Sequence, residues 1–200
     1  MAKPSWLNIN PMQGSGNGTI NNSASEHTGR VARVCTVTVT GVGVSTPDTY
    51  RVILEPKSEF VSYDNGDEMA IPKEGGNFTV TGKSNSSKLT FQWLNTTDVT
   101  IPSSYMAGGM TTNNGSNIEG DPGASSEYIF SIELDFPSND VTEDVRTLVV
   151  KANGGQAAQI TIKQAAEEAT LSVTPKEITI PQDGSAVSVY VKSNTSWVVS

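Results

Sequence analysis

The chain has 200 residues, with 21 acidic side chains against 13 basic ones and a formal net charge of −8. That balance argues against a phosphate-backbone binder, which needs a clustered basic surface, so nucleic acid is not an expected partner. A hydrophobic share of 36% and 18 glycines, set among Ser, Thr and Asn in turn-like clusters, point to an all-β protein; no apolar run approaches the roughly 18 residues of a membrane span, and none is expected.

Taken in chain order, residues 1–54 read as three or four strands, carried by WLNINPMQGSGNGTI, VARVCTVTVTG and YRVIL. Branched apolar residues alternate with polar ones, the period of half-buried strands, and Pro11 with Gly14, Gly16 and Gly18 supplies the bends. That G-x-G-x-G series is followed by no helical pattern, so it lacks the helix N-terminus of a phosphate-cradling loop. Residues 58–166 open near Phe60 and continue through Met69–Pro72, a turn at Lys73–Gly76, a strand at Phe78–Gly82 and a strand at Leu89–Leu94 that carries Trp93. Between 95 and 126 the strand period dissolves into a long loop, and loops of that length are usually functional or mobile. Strands are expected again at Tyr128–Phe136, Arg146–Ala152 and Gln159–Gln164, followed by a short linker. The last segment, 167–200, predicts strands near Leu171–Val173, Glu177–Ile180 and Ala186–Lys192.

The chain also repeats itself. Ile71–Leu89 (IPKEGGNFTVTGKSNSSKL) aligns without a gap to Ile180–Val198 (IPQDGSAVSVYVKSNTSWV), with eight of nineteen positions identical. Arg33–Gly41 (RVCTVTVTG) matches Arg146–Gly154 (RTLVVKANG) in pattern. The first match marks the front of a module and the second its back. Residues 58–166 then hold one complete module, residues 1–54 only a back, and residues 167–200 only a front. Together the two ends supply chain enough for one further sandwich of about 100 residues. The split module is expected to close within one chain, between chains, or through residues beyond Ser200.

These residues resemble the BACON family, immunoglobulin-like β-sandwich modules of Bacteroidetes surface proteins and of Bacteroides phages, the crAss-like ones among them. LSVTPKEITIPQDGSAVSVYVKSNTSW resembles a BACON front, with its proline after the first strand, its glycine turn and its S-N-x-x-W close. WLNINPMQGSGNGTI with RVARVCTVTVTG resembles a back, and ITIKQAA resembles the terminal strand. The middle module departs from this pattern in having Lys88 where the last has Trp197, and in the length of its 95–126 segment. The resemblance implies immunoglobulin-like sandwiches in tandem and either of two roles. One is a virion decoration, head-fibre or auxiliary capsid or tail protein; the other is a carbohydrate-binding adhesion module at the bacterial surface.

Chemistry-bearing residues are sparse. His27 is the only histidine and is expected in a solvated turn; Cys35 is the only cysteine and reads as a small buried strand residue that leaves no disulfide within one chain. Asp64, Asp67 and Glu68 lack the spacing of a calcium loop. No catalytic residue, cofactor or metal is expected. For glycan or partner contact the candidates are Trp6, Trp93, Trp197, Tyr105 and Tyr190, because a ring face stacks on a sugar or on a partner's apolar surface. Met106 and Met110 join them from the long segment. A Met1 start without a secretory signal predicts synthesis in a host cytoplasm and assembly into a particle, with other virion proteins or further copies of the chain as partners and strand complementation as the mode. The alternative location is the cell surface, with glycans as ligands.

Overall fold

Alternating apolar and polar residues become strands along most of the chain. The computed structural model describes residues 3–95, 98–140 and 143–200; Met1, Ala2, Thr96, Thr97, Val141 and Thr142, which fall in the expected segments 1–54 and 58–166, lie outside the described residues. Two hairpins come first: β1 (Leu7–Asn10) pairs with β2 (Asn21–Ala24), and β3 (Arg33–Val39) with β4 (Asp48–Leu54). The middle module supplies β5 (Val61–Tyr63), β6 (Glu68–Ile71), β7 (Gly76–Ser84), β8 (Leu89–Trp93), β9 (Ser104–Ala107), β10 (Met110–Asn113), a 3₁₀ turn at Pro122–Ala124, β11 (Tyr128–Phe136), β12 (Asp144–Ala152) and β13 (Ala157–Gln164). A last hairpin joins β14 (Leu171–Thr174) to β15 (Tyr190–Ser193).

The fold is all-β, and the middle module is a β-sandwich. One sheet has the order β10-β9-β11-β7-β5 and the other β6-β13-β12-β8. The opening of the module is shared between them: β5 runs antiparallel to β7, while β6 crosses to the other sheet and runs parallel to β13. Neighbouring strands thus come from distant parts of the chain, as in immunoglobulin-like sandwiches. Val80, Leu89, Phe130, Ile132, Leu134, Leu148, Val150, Ile160 and Ile162 fill the space between the sheets and are almost fully buried. Edge-to-face rings continue the packing, Phe91 against Tyr105 at 4.9 Å and against Phe130 at 5.6 Å, in the geometry that aromatic quadrupoles favour.

Gly82 shows how closely the inner face of β7 is approached. A Cβ there would collide with the Ser62 carbonyl oxygen on β5 and with the Phe130 ring. Gly82→Ala is therefore expected to lower stability by about 1–3 kcal/mol, the usual cost of overpacking, read as a shift in the urea unfolding midpoint; an unchanged midpoint would contradict this packing.

Three expectations need correction. The 95–126 segment is not a single loop, because β9 and β10 form a hairpin there and β9 pairs with β11. Its turn is Gly108–Gly109, both at positive φ (58° and 84°), a conformation glycine adopts without steric cost. Tyr105 and Ala107 point inward from β9 and Met106 outward, so Tyr105 belongs to the core. Of the strand expected at Ala186–Lys192 only Tyr190–Lys192 is strand, within β15, and the one expected at Glu177–Ile180 is not formed. Its counterpart in the middle module, β6, is hydrogen-bonded by β13, and no strand of the described residues lies beside 177–180.

Candidate assembly site

The KSN triplet at the end of β7 organises the junction between residues 3–57 and the sandwich. Asn85 is fully buried. Its Oδ1 accepts the Phe60 N–H at 2.9 Å, and its Nδ2 faces the carbonyls of Thr28 (3.1 Å), Ser58 (3.2 Å) and Lys57 (3.4 Å). Ser84 Oγ donates to the Phe60 carbonyl at 2.7 Å and accepts the Ser86 N–H at 2.9 Å. Buried polar groups are tolerable when satisfied in this way, and a satisfied network fixes one geometry. The strap opposite is held by its backbone: Arg30 N–H donates to Gly123 and Val31 N–H to Ala124, both at 3.0 Å. Arg30 also grips Asp121 with both terminal guanidinium nitrogens, Nη1 on Oδ1 and Nη2 on Oδ2. Asp121 sits at φ 42°, a left-handed conformation rare outside glycine, which the ion pair helps to hold.

The same device recurs at the other end of the chain. Asn194 Oδ1 accepts the Thr170 N–H at 2.7 Å, Asn194 Nδ2 donates to the Glu168 carbonyl at 2.9 Å, Ser193 Oγ donates to the Thr170 carbonyl at 2.9 Å, and Thr195 N–H donates to Ser193 Oγ at 3.1 Å. Strand register repeats too. β5 and β7 pair Val61 with Ser84 and Ser62 with Lys83; β14 and β15 pair Leu171 with Ser193 and Ser172 with Lys192. The hairpin β3–β4 repeats β12–β13 in the same sense, with Arg33 opposite Leu54 where Arg146 is opposite Ile162, and Cys35 opposite Val52 where Leu148 is opposite Ile160.

What differs is cover. In the middle module three front strands lie against back strands: β6 on β13, β7 on β11, β8 on β12. Ile71, Val80 and Leu89 are consequently 3%, 0% and 0% exposed, whereas their counterparts Ile180, Val189 and Val198 are 62%, 41% and 97% exposed. Among the described residues no strand of 3–54 pairs with a strand of 167–200.

The sequence-selected residues scatter. Trp93 is packed against the core, edge-to-face with Phe136 at 6.3 Å, and its Nε1 donates to the Val99 carbonyl at 2.6 Å. Tyr105 is buried and its hydroxyl accepts the Leu89 N–H at 3.2 Å. Trp6 is half-buried beside β1. Met106 and Met110 are exposed on the β9–β10 hairpin, and Trp197 and Tyr190 are exposed on the C-terminal front. No single aromatic platform forms from residues placed beside β1, in the core, on the β9–β10 hairpin and on the C-terminal front.

Reactive chemistry is equally dispersed. His27 is buried rather than solvated: Gly29 N–H points at its Nδ1 (3.4 Å), so Nε2 carries the proton and donates to the Val31 carbonyl at 2.8 Å. Both ring nitrogens are occupied within one turn, which leaves neither to activate Cys35 on β3. Burial pushes the Tyr63, Tyr105 and Tyr128 phenols above the usual tyrosine range, keeping them neutral. Among the described residues no group of His, Cys, Asp or Glu is arranged to hold a metal ion, and no helix is long and apolar enough to cross a membrane.

No family model matches the chain, and no curated protein matches it. Among solved structures it is similar to domains 4–9 of the surface layer protein SbsC, at 10% identity and a TM-score of 0.38, over 90% of this chain and 32% of that one. It is also similar to the endo-fucoidan hydrolase MfFcnA9 of glycoside hydrolase family 107, at 15% identity and a TM-score of 0.28, over 82% and 26%. The chain thus spans about a third and about a quarter of these two structures.

Two functional features escaped the sequence reading. The strap at 27–33 is held by residues 121–127, a pairing across some ninety positions that no local pattern announces. Arg146 is 2% exposed and gathers Asp98, Asp144 and Gln164 around it; its place inside a strand pattern was the available signal.

Proposed function

We propose that the chain is a non-enzymatic structural protein that assembles through β-sandwich modules, its terminal halves being completed by strands of other chains. The finer reading is a decoration, head-fibre or auxiliary capsid or tail protein of a Bacteroides-infecting phage, supported by the resemblance of its motifs to BACON modules. The observation that carries assembly is the exposure of Ile180, Val189 and Val198 at positions that are core in the middle module. Covering them contributes up to about 1.5–3 kcal/mol for a side chain as exposed as Val198 and proportionately less for Ile180 and Val189, and the unpaired strand edges beside them add main-chain hydrogen bonds. Sedimentation of the full chain is expected to show concentration-dependent association that Ile180→Asp abolishes. A wild-type chain that stays monomeric throughout, or an Ile180→Asp chain that associates equally well, would overturn the reading. Immunogold labelling of purified particles checks the virion placement.

A second reading, a carbohydrate-binding adhesion module, is favoured by the exposed rings of Trp197 and Tyr190. Affinity electrophoresis in polysaccharide gels would then show retardation that Trp197→Ala and Tyr190→Ala remove; equal retardation of wild type and both variants counts against it.

A further inference from the structure

Resting on the reading that other chains complete the C-terminal front, we infer that its occupant is the β3–β4 hairpin of a second copy, so that copies join head to tail through opposite poles of the middle sandwich. The register of the chain's own complete module carries this. β3–β4 reproduces β12–β13 rung for rung, and its inward face, Cys35, Val37, Val52 and Leu54, is only half-buried. Laid on the front as β12–β13 lies on β8 and β6, the hairpin sets Val39 opposite Val198, as Ala152 is opposite Leu89. It sets Leu54 beside Ile178, as Ile162 is beside Met69.

The placement of the halves makes the contact intermolecular. Residues 27–57 are tied to the Ser84 end of β7 through Asn85, while the front leaves from the Gly76 end, where Ala165 N–H donates to the Ile71 carbonyl and Lys73 pairs with Glu167. Nine strand residues separate these ends, about 27 Å at the strand rise. A back at one pole and a front at the other form a heterologous pair of surfaces, which adds copies head to tail into strings, or into rings where the rotation closes.

One rung of the composite is unfavourable. Lys163 pairs with Glu68 at 2.6 Å in the middle module, but the equivalent positions are Glu55 and Glu177. Glu177→Lys should therefore tighten the joint about two- to fivefold, the range of an exposed ion pair.

The decisive experiment uses two variants of the 200-residue chain. Val37→Asp spoils the hairpin and leaves the front able to receive; Val189→Asp spoils the front and leaves the hairpin able to enter. Both positions lie outside the core cluster of the middle sandwich, so its thermal transition should be unchanged in each. The expected result is strings for wild type, monomers for either variant alone, and dimers and nothing longer for the equimolar mixture. A second readout mixes Val39→Cys chains with Val198→Cys chains, both carrying Cys35→Ala: oxidation should give the mixed disulfide in excess of either homodimer. Val37→Asp chains that still form strings would overturn the hairpin as occupant while leaving assembly by completion intact. Wild-type chains that remain monomeric, with Val39→Cys and Val198→Cys in one polypeptide joining internally, would overturn both.

Discussion

An Asn85→Asp chain is expected to lose about 3–5 kcal/mol of stability at neutral pH and to release its N-terminal segment to protease. The amide is fully buried and makes its contacts as a donor to the carbonyls of Thr28, Ser58 and Lys57. A carboxylate of the same shape would keep the Phe60 N–H bond but turn negative charge toward those carbonyl oxygens. A carbonyl left without a donor costs about 1–3 kcal/mol where it stays shielded from water, and desolvating the charge adds to it. The acid escapes part of this by taking up a proton, so its folded pKa lies above the unfolded value of about 3.9. The folded state then binds more protons than the unfolded one between those two values, and stability falls as pH rises through that window. Urea unfolding at pH 7 and at pH 4.5 should show the deficit shrinking in acid. Asn194→Asp, in the half-buried copy of the same device, should cost no more than about 1 kcal/mol. Equal losses at the two sites would refute this account of the junction.

Arg146→Ala is expected to cost about 3 kcal/mol. The guanidinium is 2% exposed, with Nε 3.2 Å and Nη2 2.5 Å from the Asp98 carboxylate, Nη2 2.6 Å from Asp144, Nη1 2.9 Å from Gln164 Oε1, and its plane over the Phe136 ring at 5.6 Å. The two carboxylates are themselves nearly half exposed, so losing the arginine costs them little. The penalty comes from Gln164, fully buried and deprived of a donor, and from the space left by the side chain. Arg146→Met should fill that space and recover about half of the loss. Differential scanning calorimetry of the two variants separates packing from hydrogen bonding; equal losses would show that the bond to Gln164 dominates.

Much of the fold was legible in the sequence because strands of the middle module face water on one side. FTVTG and YIFSIELDF alternate, and the residues they mark as inward, Val80, Phe130, Ile132 and Leu134, are the buried ones. The internal match singled out the KSN triplet, whose hydrogen bonds are repeated at both ends. The β9–β10 hairpin escaped because its strands are four residues long, although Gly108–Gly109 between SYMA and MTTN was a hairpin signal in plain view. His27 looked solvated because its neighbours are polar; burial came from residues a hundred positions away, which local composition does not encode. Glu177–Ile180 has strand-forming residues but lacks the neighbour that turns propensity into a ladder.

The parallel pairing of β6 with β13 has a mechanical consequence. Chain entering the module at β5 and leaving after β13 is anchored at opposite ends of the sandwich. Tension applied between those ends draws β13 one way and β5 with β6 the other, along the strand axes. The rungs joining Thr161–Gln164 to Glu68–Ile71 are then loaded together in shear, not peeled one after another, and the sandwich resists pulling most strongly along the line that joins its two halves.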